Sequence, residues 1–172
     1  ELWLPEAEAI ALLPELLNTG TLGSSNDWIL NEVRAAIPDL RTATVEAFIP
    51  QMTNLQALEG VSFTKGCYTG QEIVTRLQHR GQLKRPMYRL KARCETLPQA
   101  GDPIHSDNKE KVGQVVLAAR NEADECELLA VVIKDQVDNS TLHLDTQEGP
   151  TASVEPLPYE LDPKMFEAKN RL

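Results

Sequence analysis

The chain has 172 residues, of which 41% are hydrophobic and 25% charged, and its formal net charge is −9. That is the composition of an ordinary globular chain forming one large or two small domains, and it excludes a collagen, a disordered tail and a disulfide miniprotein. The charge is unevenly placed. Lys65 to Arg93 holds eight basic residues (Lys65, Arg76, Arg80, Lys84, Arg85, Arg89, Lys91, Arg93) against one acid, Glu72, while the rest carries nine basic and 25 acidic residues. Such a distribution argues against nucleic acid coating the whole surface. It leaves a solvated basic hairpin, which charge alone favours, or one anchorage for a small anion or a stretch of RNA. No apolar run is long enough to cross a bilayer, no basic-then-apolar leader is present, and no membrane partner is expected. The chain opens at Glu1 in a strand-like Leu2-Trp3-Leu4, which reads as the start of a fragment.

In chain order, Pro5 opens a helix over Glu6 to Leu17, with Ala9, Leu12, Leu13, Leu16 and Leu17 along one side. Pro14 is expected to kink it or end it early, and Asn18-Thr19-Gly20 stops it. Ser25, Asn26 or Asp27 can cap the next element. Trp28 to Ala36 fits helix or strand equally, Pro38 closes it, and residues 40–60 read as loops. A short amphipathic helix follows over residues 70–80. Thr69 and Glu72 have capping-box spacing, Gly81 ends the helix, and Arg76 and Arg80 share a face. From Pro86 the period becomes two. Tyr88, Leu90, Ala92 and Cys94 alternate with Arg89, Lys91 and Arg93, the pattern of a strand with one wet face. Pro98 to Pro103 is a turn cluster. Further strands are predicted at Val112–Ala119, Glu127–Lys134, Thr141–Leu144 and Ser153–Glu155, a run that suggests a small antiparallel barrel or sandwich. The last dozen residues read as a loose tail. The fold class is α+β: an α/β part over residues 1–84, an antiparallel β-barrel over 85–158 and a tail over 159–172.

The cysteines, Cys67, Cys94 and Cys126, and the histidines, His79, His105 and His143, are widely spaced, so no metal site is predicted. A reducing cytoplasm fits this cysteine usage. Cys94 falls on the apolar face of its strand and reads as core; Cys126 is given no role. Cys67 differs. It lies between Gly66 and Gly70, three residues before a helix start whose free N–H groups stabilise an anion, with Lys65 close by. Both effects favour a thiolate. A small inert residue in a tight turn is the competing reading on these residues alone. For Glu72, closing the capping box outweighs a chemical role.

The run Lys65-Gly66-Cys67-Tyr68-Thr69-Gly70-Gln71-Glu72 resembles the signature of the YgfZ family of folate-binding, iron–sulfur-related proteins. The likeness continues through Arg76, Arg80-Gly81 and Lys84-Arg85. It extends backward to Phe48-Ile49-Pro50-Gln51 and Asn54-Leu55, and forward to Glu155-Pro156-Leu157-Pro158-Tyr159. It spans roughly residues 28–160 and only the C-terminal half of such a protein. The resemblance implies a fold similar to the tetrahydrofolate-dependent T-protein of glycine cleavage, here the C-terminal part of a folate-binding domain followed by a β-barrel. It implies an accessory protein that supports assembly or repair of iron–sulfur enzymes, including a tRNA-methylthiolating enzyme, and thereby tRNA modification. The signature cysteine, Cys67, is then the functional thiol.

The folate contacts implied are Trp28, whose indole can stack on a pterin ring, and Arg76 and Arg80, which with Lys84 can hold a glutamate tail. Core packing is the ordinary reading of Trp28. One departure matters. The family pattern that this chain resembles usually has Glu-Ala-Gly before Ile-Pro, whereas this chain reads Arg34-Ala35-Ala36-Ile37-Pro38. Arginine has only donors and cannot accept the pterin N–H groups. Glu32 would face the same side as residue 34 only in an extended segment.

Three functions follow. The first is a folate-binding accessory protein, leaning away from catalysis, whose thiolate ligates an iron–sulfur cluster transiently, forms a mixed disulfide or accepts a one-carbon unit. The second is a folate-dependent aminomethyl transferase. The third is a direct tRNA-binding module, disfavoured because only Tyr68 and Tyr88 are available for base stacking in the basic segment.

Overall fold

The computed structural model describes residues 2–167. Six strands close into an antiparallel barrel in the order β1-β4-β3-β2-β5-β6, with β6 returning to β1: β1 (Met87–Ala92), β2 (Pro103–Ser106), β3 (Lys109–Arg120), β4 (Cys126–Val132), β5 (Leu142–Leu144) and β6 (Thr151–Glu155). The barrel interior is filled by Leu90, Ala92, Ile104, Val112, Val115, Leu128, Ala130, Val132, Leu142 and Leu144. Alternation along β4 puts Leu128, Ala130 and Val132 inside and Leu129 and Val131 outside, as the two-residue period demands. All seven residues of β4 are nonetheless buried, because its outer face is roofed.

The roof is a second apolar cluster of Val33, Ala36, Met87, Val116, Leu117, Leu129 and Val131, flanked by Ile29, Phe48, Met52, Leu157 and Tyr159. It rests on α2 (Ser25–Arg34), which settles the undecided 28–36 stretch as helix. Ser24, one residue ahead of the three expected caps, is the N-cap. Its Oγ accepts from the Asp27 N–H and the Asp27 carboxylate accepts from the Ser24 N–H, a complete capping box. Asn26 then pins the helix to the barrel. Its amide donates to the Arg120 carbonyl (2.8 Å) and accepts from the Arg120 N–H (2.9 Å).

Residues 40–60 are turns, as expected, with a 3-10 helix at Thr42–Thr44, and their buried polar side chains tie the pieces together. Gln51 donates to the Val74 carbonyl (2.6 Å). Asn54 donates to the Met87 carbonyl (2.8 Å) and accepts from the Met87 N–H (3.4 Å). The Pro50-Gln51 and Asn54 parts of the family pattern are therefore struts between α3 (Gln71–Arg80) and β1.

Several expectations are corrected. Leu2-Trp3-Leu4 forms no strand and is exposed. Pro14 does not end α1 (Glu6–Thr19), and no side chain of α1 is buried, so its apolar stripe has no partner among the described residues. Pro103 belongs to β2 rather than to a turn, and β4 stops at Val132 because Lys134 starts α4 (Lys134–Asn139). The C-terminal segment is not loose where it is described: Leu83 N–H donates to the Met165 carbonyl (2.7 Å) and Gln82 to that of Phe166 (2.8 Å). Residues 168–172 lie outside the described residues. Cys94 lies beyond the end of β1 and is disulfide-bonded to Cys126, with 6.4 Å between their Cα atoms. Neither is a free core thiol, and the bonded pair removes the basis for reading a reducing compartment from the cysteines.

Candidate functional site

The signature run is a loop that leads into α3. Gly70 is its N-cap, at φ 85°, a left-handed conformation that glycine adopts without cost. No side chain caps the helix, so the predicted Thr69–Glu72 capping box does not form and Glu72 stays exposed. Lys65 lies with its ammonium 4.6 Å from the centre of the Tyr68 ring, and the Phe63 ring meets the edge of His79, 6.4 Å between centroids. The first contact lies within the loop, and the second joins it to α3.

Cys67 is exposed, and it is the free cysteine among the described residues. Gly66 beside it has ordinary φ, and a Cβ built there meets nothing within 4 Å. Among the described residues, nothing crowds that side of the loop at Gly66. Gln71, Glu72, Thr75, Arg76 and His79 line an open groove of about 660 Å³ along α3, so the structure brings Arg76 together with Gln71 and Glu72 of the motif. Arg80 is the last residue of α3; its side chain lies outside the description.

Trp28 is 55% exposed on α2, which excludes its reading as packed core. Glu32, one turn further along the helix, shares its face. Because the segment is helical, Glu32 does not share the face of Arg34. The two helices that carry the expected folate contacts have separate supports: α2 rests on β3 and β4, and α3 is tied to the 40–60 turns.

Arg34 is committed elsewhere. It donates to both Glu122 oxygens (3.1 and 2.8 Å) and to Glu127 (2.9 Å at the shortest). Glu127 also faces Arg89 and accepts from Asn121. Burial pushes the Glu127 carboxyl up, but the Arg34 and Asn121 hydrogen bonds and the charges of Arg34 and Arg89 outweigh it and hold the group below its ordinary value. Arg34 in the same way holds Glu122 down at about 2. Hydrogen bonds from Lys91 and then Asn121 bring Glu125 to about 2. Arg34 is thus a clamp between α2 and the barrel, which nothing in its spacing foretold. Arg89, Lys91 and Arg93 are spent on Glu127 and Glu125, so much of the basic segment is neutralised at short range.

No family model matches the chain. It is 38% identical over 160 residues to the tRNA-modifying protein YgfZ of Pectobacterium carotovorum, covering 91% of this chain and 48% of that protein. It is 36% identical over 162 residues to that of Escherichia coli O127:H6, covering 92% and 49%, and 37% identical over 154 residues to that of Sodalis glossinidius, covering 88% and 47%. The chain belongs to the YgfZ family. It spans about half the length of the curated relatives it matches.

With the Cys94–Cys126 bond in place, a thiol-alkylating reagent is expected to label Cys67 alone in the folded, unreduced chain. Three cysteines should become reactive only after unfolding and reduction. Equal early labelling of Cys94 and Cys67, read by peptide mass spectrometry, would show that the bond is absent.

Proposed function

We propose that this YgfZ chain is part of an accessory protein for tRNA modification in which Cys67 is the functional thiol. The observation that carries this reading is the setting of Cys67: free, exposed, beside an uncrowded glycine, and placed just before a helix start. The relatives' name supplies the link to tRNA modification. A single thiolate provides one ligand to an iron–sulfur cluster, so the remaining ligands would come from a client enzyme, for which a tRNA-methylthiolating enzyme is the candidate. No group of three His, Cys, Asp or Glu side chains that could hold a metal is found among the described residues. None of the described helices is long and apolar enough to cross a membrane.

A folate fits the exposed Trp28 face: the indole offers a stacking surface, and Glu32 beside it offers an acceptor for pterin N–H groups, the role Arg34 cannot fill. Arg76 would hold the anionic tail. Bound there, a folate would supply a one-carbon carrier next to a helix that the barrel fixes in place.

The test uses cells lacking their own family member, supplied with the protein carrying Cys67 or Cys67→Ala at matched expression. Methylthiolated tRNA, quantified by mass spectrometry, should return with Cys67 and stay at the deficient level with Cys67→Ala. Equal restoration by both would make Cys67 structural. A catalytic aminomethyl transferase would instead turn over an aminomethyl donor with tetrahydrofolate, and a direct tRNA-binding module would hold tRNA in a salt-dependent manner after loss of Cys67.

A further inference from the structure

A second cavity, of about 430 Å³, opens where the 47–52 turn leans on the barrel wall, and none of the residues discussed so far as site residues line it. Apolar Phe48, Met52 and Val131 line it together with Gln114, Arg85 and Lys111. Phe48 and Arg85 come from two stretches that carry the family likeness yet belong to neither the Cys67 loop nor the Trp28 face. Backbone hydrogen bonds explain why Arg85 and Lys111 meet. Lys134 N–H donates to the Lys84 carbonyl (2.9 Å), Val132 N–H to that of Pro86 (3.1 Å) and Ile133 N–H to that of Val112 (2.9 Å). Residues 84–86 and 111–112 therefore flank the same end of β4, at one rim of the barrel.

Two cations without carboxylate partners among the described residues line this cavity. Arg34, Arg41, Arg89, Lys91, Arg93, Arg120 and Lys134 all have carboxylate partners. Arg85 and Lys111 have none among the described residues, and both face one cavity in a protein of net charge −9. Lys111 is moreover held at φ 54°, a strained position for a residue with a side chain. Gln114 donates to the Gly101 carbonyl (3.0 Å), which leaves its amide oxygen free to accept. Two unmatched cations balance about two negative charges, the charge of a phosphate monoester near neutral pH, better than that of a single carboxylate. The volume lies within the range of small-ligand pockets, and a flat ring can lie against Phe48.

We infer that this cavity binds a nucleoside monophosphate unit, with its phosphate between Arg85 and Lys111 and its base against Phe48 and Met52, the Gln114 oxygen meeting a base N–H. A free nucleotide and the 5′-terminal nucleotide of an RNA present the same chemistry.

The test is calorimetric titration of the 172-residue chain with AMP, with adenosine, and with a short 5′-phosphorylated RNA. AMP should bind saturably at one site, and adenosine at least about tenfold more weakly, the loss expected when charge-assisted bonds to phosphate are removed. Arg85→Gln and Lys111→Gln should each weaken AMP about tenfold and leave adenosine unchanged. Lys164→Gln and Cys67→Ala should leave AMP binding intact, which separates this site from the Cys67 reading. Thermal melts check that every variant folds. Tighter binding of the RNA, displaced by AMP, assigns the source to RNA; equal or weaker binding assigns it to free nucleotide. Absence of saturable AMP binding at millimolar concentration overturns the inference, and so does AMP binding that neither cation substitution changes.

Discussion

Leu129→Ala is expected to lower the stability of the chain by about 2–5 kcal/mol and its melting temperature by roughly 5–15 °C for a chain of this size. Leu129 is fully buried on the outer face of β4, in the cluster that joins the barrel to α2. Truncation removes apolar area from that joint and leaves a cavity between two rigid layers. The same substitution at Leu13 on α1 should change stability by no more than about 0.5 kcal/mol, because no side chain of α1 is buried. Denaturant titrations of the two variants against the parent chain measure the contrast. A cost at Leu13 as large as at Leu129 would mean that α1 packs on something in solution, such as a second copy of the chain.

The second large effect is in acid. A carboxyl held below its ordinary value stabilises the fold fully above the unfolded value and loses that contribution as the pH falls through the folded one. Glu122 and Glu125 are lowered from 4.5 to about 2, and Glu127 is lowered as well. Stability should therefore fall between about pH 4.5 and pH 2, with the α2 clamp loosening as Arg34 loses its acceptors. Glu127→Gln should cost about 1–3 kcal/mol near neutral pH, the worth of hydrogen bonds to a charged group, and the gap from the parent should close towards pH 2. Arg34→Glu should do worse than Glu127→Gln at neutral pH, because it sets a third carboxylate against Glu122 and Glu127. Unfolding curves collected from pH 7 to 2 decide this. Parallel curves for parent and Glu127→Gln would mean that the pair contributes nothing.

Much of the barrel could be read from the chain because the residues that make a strand also announce it. The alternation around Leu90 and the apolar runs of β3 and β4 reflect the two faces that burial imposes. β2 escaped because Pro103 and its neighbours look like turn chemistry, while its strand character comes from pairing with β3 and β5. The 28–36 stretch stayed ambiguous because β4 is roofed: a helix buried on one side and a strand buried on both offer similar short apolar runs. At the site, the Cys67 loop was legible as a local pattern of glycines and charge. The Cys94–Cys126 bond, the Arg34 clamp and the meeting of Arg85 with Lys111 join residues far apart in sequence. No local period records such pairings. The capping box at Thr69 failed for a local reason: a left-handed Gly70 starts the helix one residue later than the pattern suggested.

The pairing of β6 with β1 has a consequence for how this protein meets others. An open sheet offers an unpaired row of N–H and carbonyl groups to which another chain can add a strand, the route used by many peptide-binding domains and by amyloid growth. Here every strand of the barrel already has two neighbours. Adding a strand to this barrel is therefore closed as a way for a partner to dock. A partner that joined as a seventh strand would have to break the barrel to do so.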